Sequence, residues 1–161
     1  MPTLYIVRGL PGSGKSTFAR ELQAKTGALF VEPDMFLTSD GKYNYTIMEW
    51  PKAEERAHRC LRVAVYGCAD LIYADVLTRS ASIEYLYSLA YPHPQPGFYK
   101  MKVFTLKITP EESKKRNVHN VRHMDIDRMA REWEDWPGEQ VINGMVRNDT
   151  EGTEETEVNH G

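Results

Sequence analysis

The chain has 161 residues, 41% of them hydrophobic and 27% charged, with a formal net charge of −3. Such a length and balance suit one globular domain with a real core, and no apolar run approaches the length a membrane-spanning helix needs. Two cysteines, Cys60 and Cys68, are too few for a disulfide framework; eight apart on one predicted helix, they cannot bridge each other, so free thiols in the cytoplasm are expected and a metal site is not.

Thr3 to Val7 is short, apolar and rich in β-formers, and it reads as a buried strand rather than a signal peptide. Residues Lys15 to Lys25 read as a helix that stops near Gly27, a good left-handed cap. Leu29-Phe30-Val31 is a second short strand that delivers Glu32 and Asp34 to a loop at its C-terminal end. Asp40-Gly41-Lys42 reads as a turn, with Tyr43 and Tyr45 after it.

From Ala53, apolar residues recur at Ala57, Cys60, Leu61, Ala64, Val65 and Cys68, the period of an amphipathic helix. Asp70 to Ala74 reads as a third strand that brings Asp75 to a loop, and Thr78 or Ser80 is expected to cap a helix running to about Ala90. Tyr91 to Phe98 holds three prolines and reads as a loop. Lys102 to Ile108 is a fourth strand, after which Thr109 caps and Pro110 opens a polar helix to Arg116.

Asn117 to His123 is basic and irregular, and Ile126, Met129, Ala130, Trp133 and Trp136 mark a last amphipathic helix. Val141 to Val146 would add a short final strand. The last fourteen residues carry five acids and no Lys or Arg, so the rest of the chain is net positive by about two, which does not exclude an anionic partner. The expected organisation is one domain over 1–147 and an acidic, disordered tail over 148–161. Alternation of strands and helices predicts an α/β fold: a four- or five-stranded parallel sheet covered on both faces, with a helical lid.

The stretch that carries the chemistry is Gly9-Leu10-Pro11-Gly12-Ser13-Gly14-Lys15-Ser16, followed by Thr17. It fits the Walker A pattern at every fixed position, and it lies between a strand and a helix as a phosphate-binding loop must. Its glycines let the backbone curl around phosphate with N–H groups inward, and the helix N-terminus adds partial positive charge. Lys15 would reach the β- and γ-phosphates of a nucleoside triphosphate, and Ser16 would hold Mg2+.

Asp34 is placed to orient an acceptor hydroxyl and take its proton, with Glu32 a weaker candidate. Asp75 would bind substrate or support the magnesium shell. Within the basic stretch after the fourth strand, a lid arginine would stabilise charge on the transferring phosphoryl. His58, and the pair Trp133 and Trp136, read as packing residues.

These motifs resemble the kinase domain of the phage polynucleotide 5′-hydroxyl kinases and the wider AAA_33-type, zeta-toxin-like P-loop kinases, over roughly residues 3 to 136. The matching parts are GLPGSGKSTFARE, the Asp34 region, LIYAD ending at Asp75, and KKRN. The resemblance implies that Lys15 and Ser16 bind the triphosphate, Asp34 is the general base, Asp75 contacts substrate and Arg116 grips the phosphates. One branch, common in phages, also shares Asp34-Met35-Phe36, Gly41-Lys42-Tyr43, Ala57-His58-Arg59-Cys60 and Arg116-Asn117-Val118-His119.

Two departures fall on the acceptor side. Leu37 stands where those kinases carry an arginine for the acceptor's 3′-phosphate, and Asp75-Val76-Leu77-Thr78-Arg79 replaces an Asp-Thr-Asn type sequence. Arg79 would supply charge from another direction. The resemblance thus implies an ATP- and magnesium-dependent kinase acting on a hydroxyl of DNA or RNA. A hydroxymethyl-pyrimidine base in phage DNA, a nucleoside or another metabolite stand as alternative acceptors, and a nucleotide-binding module without phosphotransfer stands as the rival from another class.

Overall fold

The structure is a computed structural model and describes residues 1–39, 42–43, 46, 48–91, 97–117 and 119–143. The turn at Asp40 and Gly41, Tyr45, the three loop prolines and the acidic tail lie outside these residues.

β1 (Thr3–Gly9) forms the middle of a five-stranded sheet with β2 (Leu29–Val31), β5 (Leu71–Asp75), β6 (Lys100–Lys107) and β7 (Gln140–Asn143), in the order β2-β5-β1-β6-β7. Every pairing in it is parallel. β3 (Thr38–Ser39) and β4 (Lys42–Tyr43) form a separate antiparallel pair, Thr38 opposite Tyr43. The predicted α/β class and parallel sheet are thus observed, with five strands.

Strand alternation divides the core. On one face, Leu4, Ile6, Leu71 and Tyr73 pack against α2 (Trp50–Val65) and α3 (Ser80–Leu89). On the other, Val7, Ile72, Ala74, Phe104 and Leu106 pack with Ala19 of α1 (Lys15–Thr26). Each fully buried Leu or Ile contributes about 1.5–3 kcal/mol, so the sheet centre is the stable platform. The ligand-facing loops hang from the C-terminal ends of its strands.

The helix boundaries correct several expectations. α1 ends as predicted, with Gly27 at φ 71° and its N–H donated to Gln23. α2 buries Ala53, Ala57, Leu61 and Val65, a narrower stripe than the sequence implies. Cys60 is exposed on the helix, and Cys68 lies beyond its end at φ 55°, also exposed. Neither Thr78 nor Ser80 caps α3 by its side chain: Arg79 holds the cap position, and the Ser80 N–H is donated to Glu134 Oε1 at 3.3 Å.

α4 (Pro110–Lys115) starts as expected, with the Thr109 hydroxyl accepting from Glu112 N at 3.1 Å. α5 (His123–Glu132) stops before Trp133, so neither late tryptophan is helical. Lys114 and Asp127, 2.8 Å apart, tie α4 to α5.

Candidate active site

The loop from Gly9 to Ser16 joins β1 to α1 at the C-terminal edge of the sheet. Gly12 and Gly14 have φ of 74° and 91°, a region that side chains disfavour. A Cβ on Gly12 would stand 2.6 Å from the Arg116 carbonyl oxygen, and one on Gly9 would stand 2.4 Å from Ser13 Oγ. The loop is therefore closed around its glycines by sterics as well as by torsion. Ser113 Oγ donates to the Pro11 carbonyl at 2.6 Å, which fastens α4 to the loop, a tie that no motif announced.

Lys15 Nζ donates to the carbonyls of Gly9 (2.9 Å) and Leu10 (3.0 Å), so its ammonium lies folded over the loop that precedes it. Burial lowers its pKa, opposed by the field of Asp75, Asp34 and Glu32. Ser16 Oγ donates to Glu32 Oε2 at 2.9 Å. Glu32 is buried, which pushes its carboxyl up against the lowering effect of that hydrogen bond. The sequence ranks Glu32 only as a lesser base; its position is instead behind the serine hydroxyl. Thr17 is exposed, and Ser13 Oγ is buried without a hydrogen-bond partner among the described residues.

Asp34 sits in a short 3-10 turn, Pro33–Phe36, rather than in an open loop. Asp75 is the last residue of β5 rather than a loop residue, 8% exposed, and accepts from its neighbour Val76 N at 2.7 Å. Burial, with Glu54 adding repulsion, raises its pKa to about 7.

Pro11, Lys15, Glu32, Asp34 and Asp75 line one cavity of about 310 Å3. The structure adds Trp50 and Glu54 from α2, Val76, Leu77 and Thr78 after β5, His119, and Arg128 and Glu132 from α5. Glu54 directly follows the buried Ala53 on α2, and Arg128 and Glu132 are one turn apart on α5. Helical spacing puts them at the edge of an apolar stripe, but it cannot show which neighbouring element that edge meets.

Neither of the two arginines expected at the site is in the cavity lining among the described residues. Arg116, at the C-cap of α4, lies against Gly12 through its backbone and Cβ, with Nε 3.8 Å from Glu112 Oε2. Arg79 is 57% exposed at its side chain and pairs with Glu132 at 3.5 Å, outside the cavity lining. His58 packs its ring against Tyr73 and Tyr85, centroids 5.8 and 5.2 Å away, in keeping with a packing role.

A residue the motif reading passes over ties the region together. Arg8, beside the phosphate loop on β1, is 0% exposed. Its guanidinium donates to the carbonyls of Leu77 (3.0 Å), Thr78 (3.4 Å) and Glu134 (2.8 Å) and to Glu139 Oε2 (3.1 Å). It also stacks on Trp133, 4.1 Å from the ring centroid. Glu139 accepts a second hydrogen bond from Thr105 Oγ1 at 2.6 Å. An arginine can serve so many acceptors because its planar fork carries five donors. The cavity wall at Leu77 and Thr78, and the chain leaving α5, are thereby held to the central strand.

A family profile described as an AAA domain (AAA_33) matches residues 4–136. PM0531 of Pasteurella multocida is 40% identical over 83 residues, 47% of this chain, and the chain spans 46% of that protein's length. Among solved structures, the Pnkp1/Rnl/Hen1 RNA repair complex aligns with a TM-score of 0.64 at 18% identity, over 81% of this chain and 43% of that one. A gluconokinase from Sinorhizobium meliloti 1021 aligns with a TM-score of 0.58 at 14% identity, over 89% and 83%. The chain therefore belongs to this AAA-domain family, and its fold is that of the P-loop kinases.

Proposed function

We propose that the protein is an ATP-dependent kinase that transfers the γ-phosphoryl group to a hydroxyl on nucleic acid. The observation that carries this reading is the convergence of Lys15, the Ser16–Glu32 pair, Asp34 and Asp75 on one cavity beside the phosphate loop. The glycine cradle and the orphaned Ser13 hydroxyl fit a nucleotide's phosphates, and the Ser16 hydroxyl backed by a carboxylate fits a magnesium ion. Bound magnesium would neutralise charge on the phosphate oxygens.

In this reading Lys15 exchanges its two loop carbonyls for phosphate oxygens. Asp34 holds the acceptor hydroxyl and takes its proton as the new oxygen–phosphorus bond forms. The bond between the γ-phosphorus and the bridging oxygen breaks, and ADP leaves. Arg116, against Gly12, adds positive charge from the far side of the loop. The nucleic-acid acceptor rests on likeness to polynucleotide kinases and on the RNA repair complex among the fold's neighbours. The second reading, a small-molecule acceptor, is favoured by the modest cavity volume of about 310 Å3 and by the gluconokinase likeness.

Asp34→Asn tests the reading. Transfer of labelled γ-phosphate to a panel of 5′-hydroxyl oligonucleotides, hydroxymethylated duplex DNA and nucleosides is expected to fall by about 10²–10⁴-fold. ATP affinity should stay within about twofold. A binding module would show no transfer in either protein and no response to the substitution.

A further inference from the structure

The acceptor side of the cavity has a charge pattern that a kinase for phosphorylated ends does not need. Lys15 and Glu32 are engaged on the nucleotide side, with the loop carbonyls and Ser16. Arg128 is the arginine of the described lining; it lies 3.4 Å from Glu132 Oε2 and 3.6 Å from Asp125 Oδ1, acids that Arg79 and Arg122 also pair with. Arg79 is committed to Glu132, and Leu37 is 4% exposed in the interior. An entering phosphate would meet the carboxylates of Asp34, Glu54 and Asp75, beside an arginine already held in ion pairs.

Two of these acids are short of donors. Among the described residues Asp75 accepts one hydrogen bond, from Val76 N, and Glu54 accepts none although it is half-buried. Carboxylates partly withdrawn from water favour hydrogen-bond donors, which an entering ligand can supply. The Tyr73 hydroxyl, fully buried and also without a hydrogen-bond partner among the described residues, lies in the field of both acids and donates to neither. Trp50, Val76, Leu77 and Met129 give the same cavity apolar walls suited to a ring.

Resting on the kinase reading above, we infer that the group entering this cavity is a hydroxyl-bearing ring without phosphate or carboxylate, held through its donors by Asp75 and Glu54. A nucleoside sugar and a hydroxymethylated base share that chemistry. Phosphates of a longer nucleic acid would stay outside.

Two matched pairs of acceptors test this: thymidine against thymidine 3′-monophosphate, and 5-hydroxymethyl-2′-deoxyuridine against its 5′-monophosphate. Transfer from labelled ATP is measured with magnesium, and product analysis tells sugar from base hydroxyl. In at least one pair, kcat/KM should be about tenfold or more higher for the member without phosphate, because like charges brought together in a binding site repel. Glu54→Gln should shrink that ratio to about threefold or less. A folding defect would lower both members equally and leave the ratio unchanged.

Equal or better use of the phosphorylated members overturns the inference, as does a ratio that Glu54→Gln leaves intact. No label on any of the four, with ATP binding intact by calorimetry, also overturns it while sparing the nucleotide site. Failure of the unaltered protein to bind ATP defeats the kinase reading and this inference with it.

Discussion

The two halves of the cavity are built differently. The nucleotide half is one contiguous loop, Gly9 to Ser16, whose shape follows from local torsions and close approaches. The acceptor half is assembled from short segments far apart in sequence: Asp34, the first turn of α2, the end of β5, His119, and the last turns of α5. Part of it is held by a single buried side chain, Arg8. A contiguous loop can be read and altered one residue at a time. An assembled wall depends on the packing that brings its pieces together.

Breaking the assembled half should have the largest effect. Arg8→Met would leave Glu139, with its side chain 8% exposed, holding only the Thr105 hydroxyl, and would strip donors from three carbonyls. Removing one partner of a buried ion pair costs about 3–5 kcal/mol. Urea denaturation should show a loss of that size, and adding Glu139→Gln should recover part of it. A loss below about 1 kcal/mol would mean that the wall does not depend on Arg8.

The next effect is electrostatic and also belongs to the acceptor half. Asp75 has its pKa raised from 3.8 to about 7, chiefly by burial. Between those values the folded state holds the proton that the unfolded chain has released, so stability should fall as pH rises from about 4 to about 7. The slope is at most about 1.4 kcal/mol per pH unit for one such group. Glu32 and Glu54, also raised by burial, act in the same direction. Thermal melts across this window should show Asp75→Asn gaining on the unaltered protein as pH rises. A constant difference would remove Asp75 as the source.

The nucleotide half should respond more narrowly. Gly12→Ala places a Cβ 2.6 Å from the Arg116 carbonyl at a positive φ, a strain of about 1–3 kcal/mol. The expected result is a modest fall in melting temperature with ATP binding weakened at least about tenfold, read by calorimetry. Unchanged ATP affinity would show that the loop and α4 move apart freely. The smallest effect is at the helix behind the loop: Thr109→Ala removes the cap of α4 and should cost about 1 kcal/mol, with little change in ATP affinity.

The sequence by itself determined the alternation of strands and helices, the phosphate loop and the left-handed stop at Gly27. Each rests on short-range physics: the period of apolar residues, the torsional freedom of glycine, and the order of residues in one loop. It also singled out Lys15 and Ser16, because they close the phosphate-loop motif, and Asp34 and Asp75, because they stand near strand ends. Tertiary structure decided the rest. Spacing placed Cys60, Cys68 and Trp133 on apolar helix faces, but α2 and α5 stop before Cys68 and Trp133, and Cys60 falls outside the narrow stripe that α2 buries. Arg79, one helix cap away from Asp75, was drawn off by Glu132 of α5, a partner 53 positions along the chain. Arg8 reads in the sequence as one polar residue ending an apolar strand. Only the fold brings Leu77, Trp133, Glu134 and Glu139 around it, because satisfying a buried guanidinium takes acceptors from several segments at once.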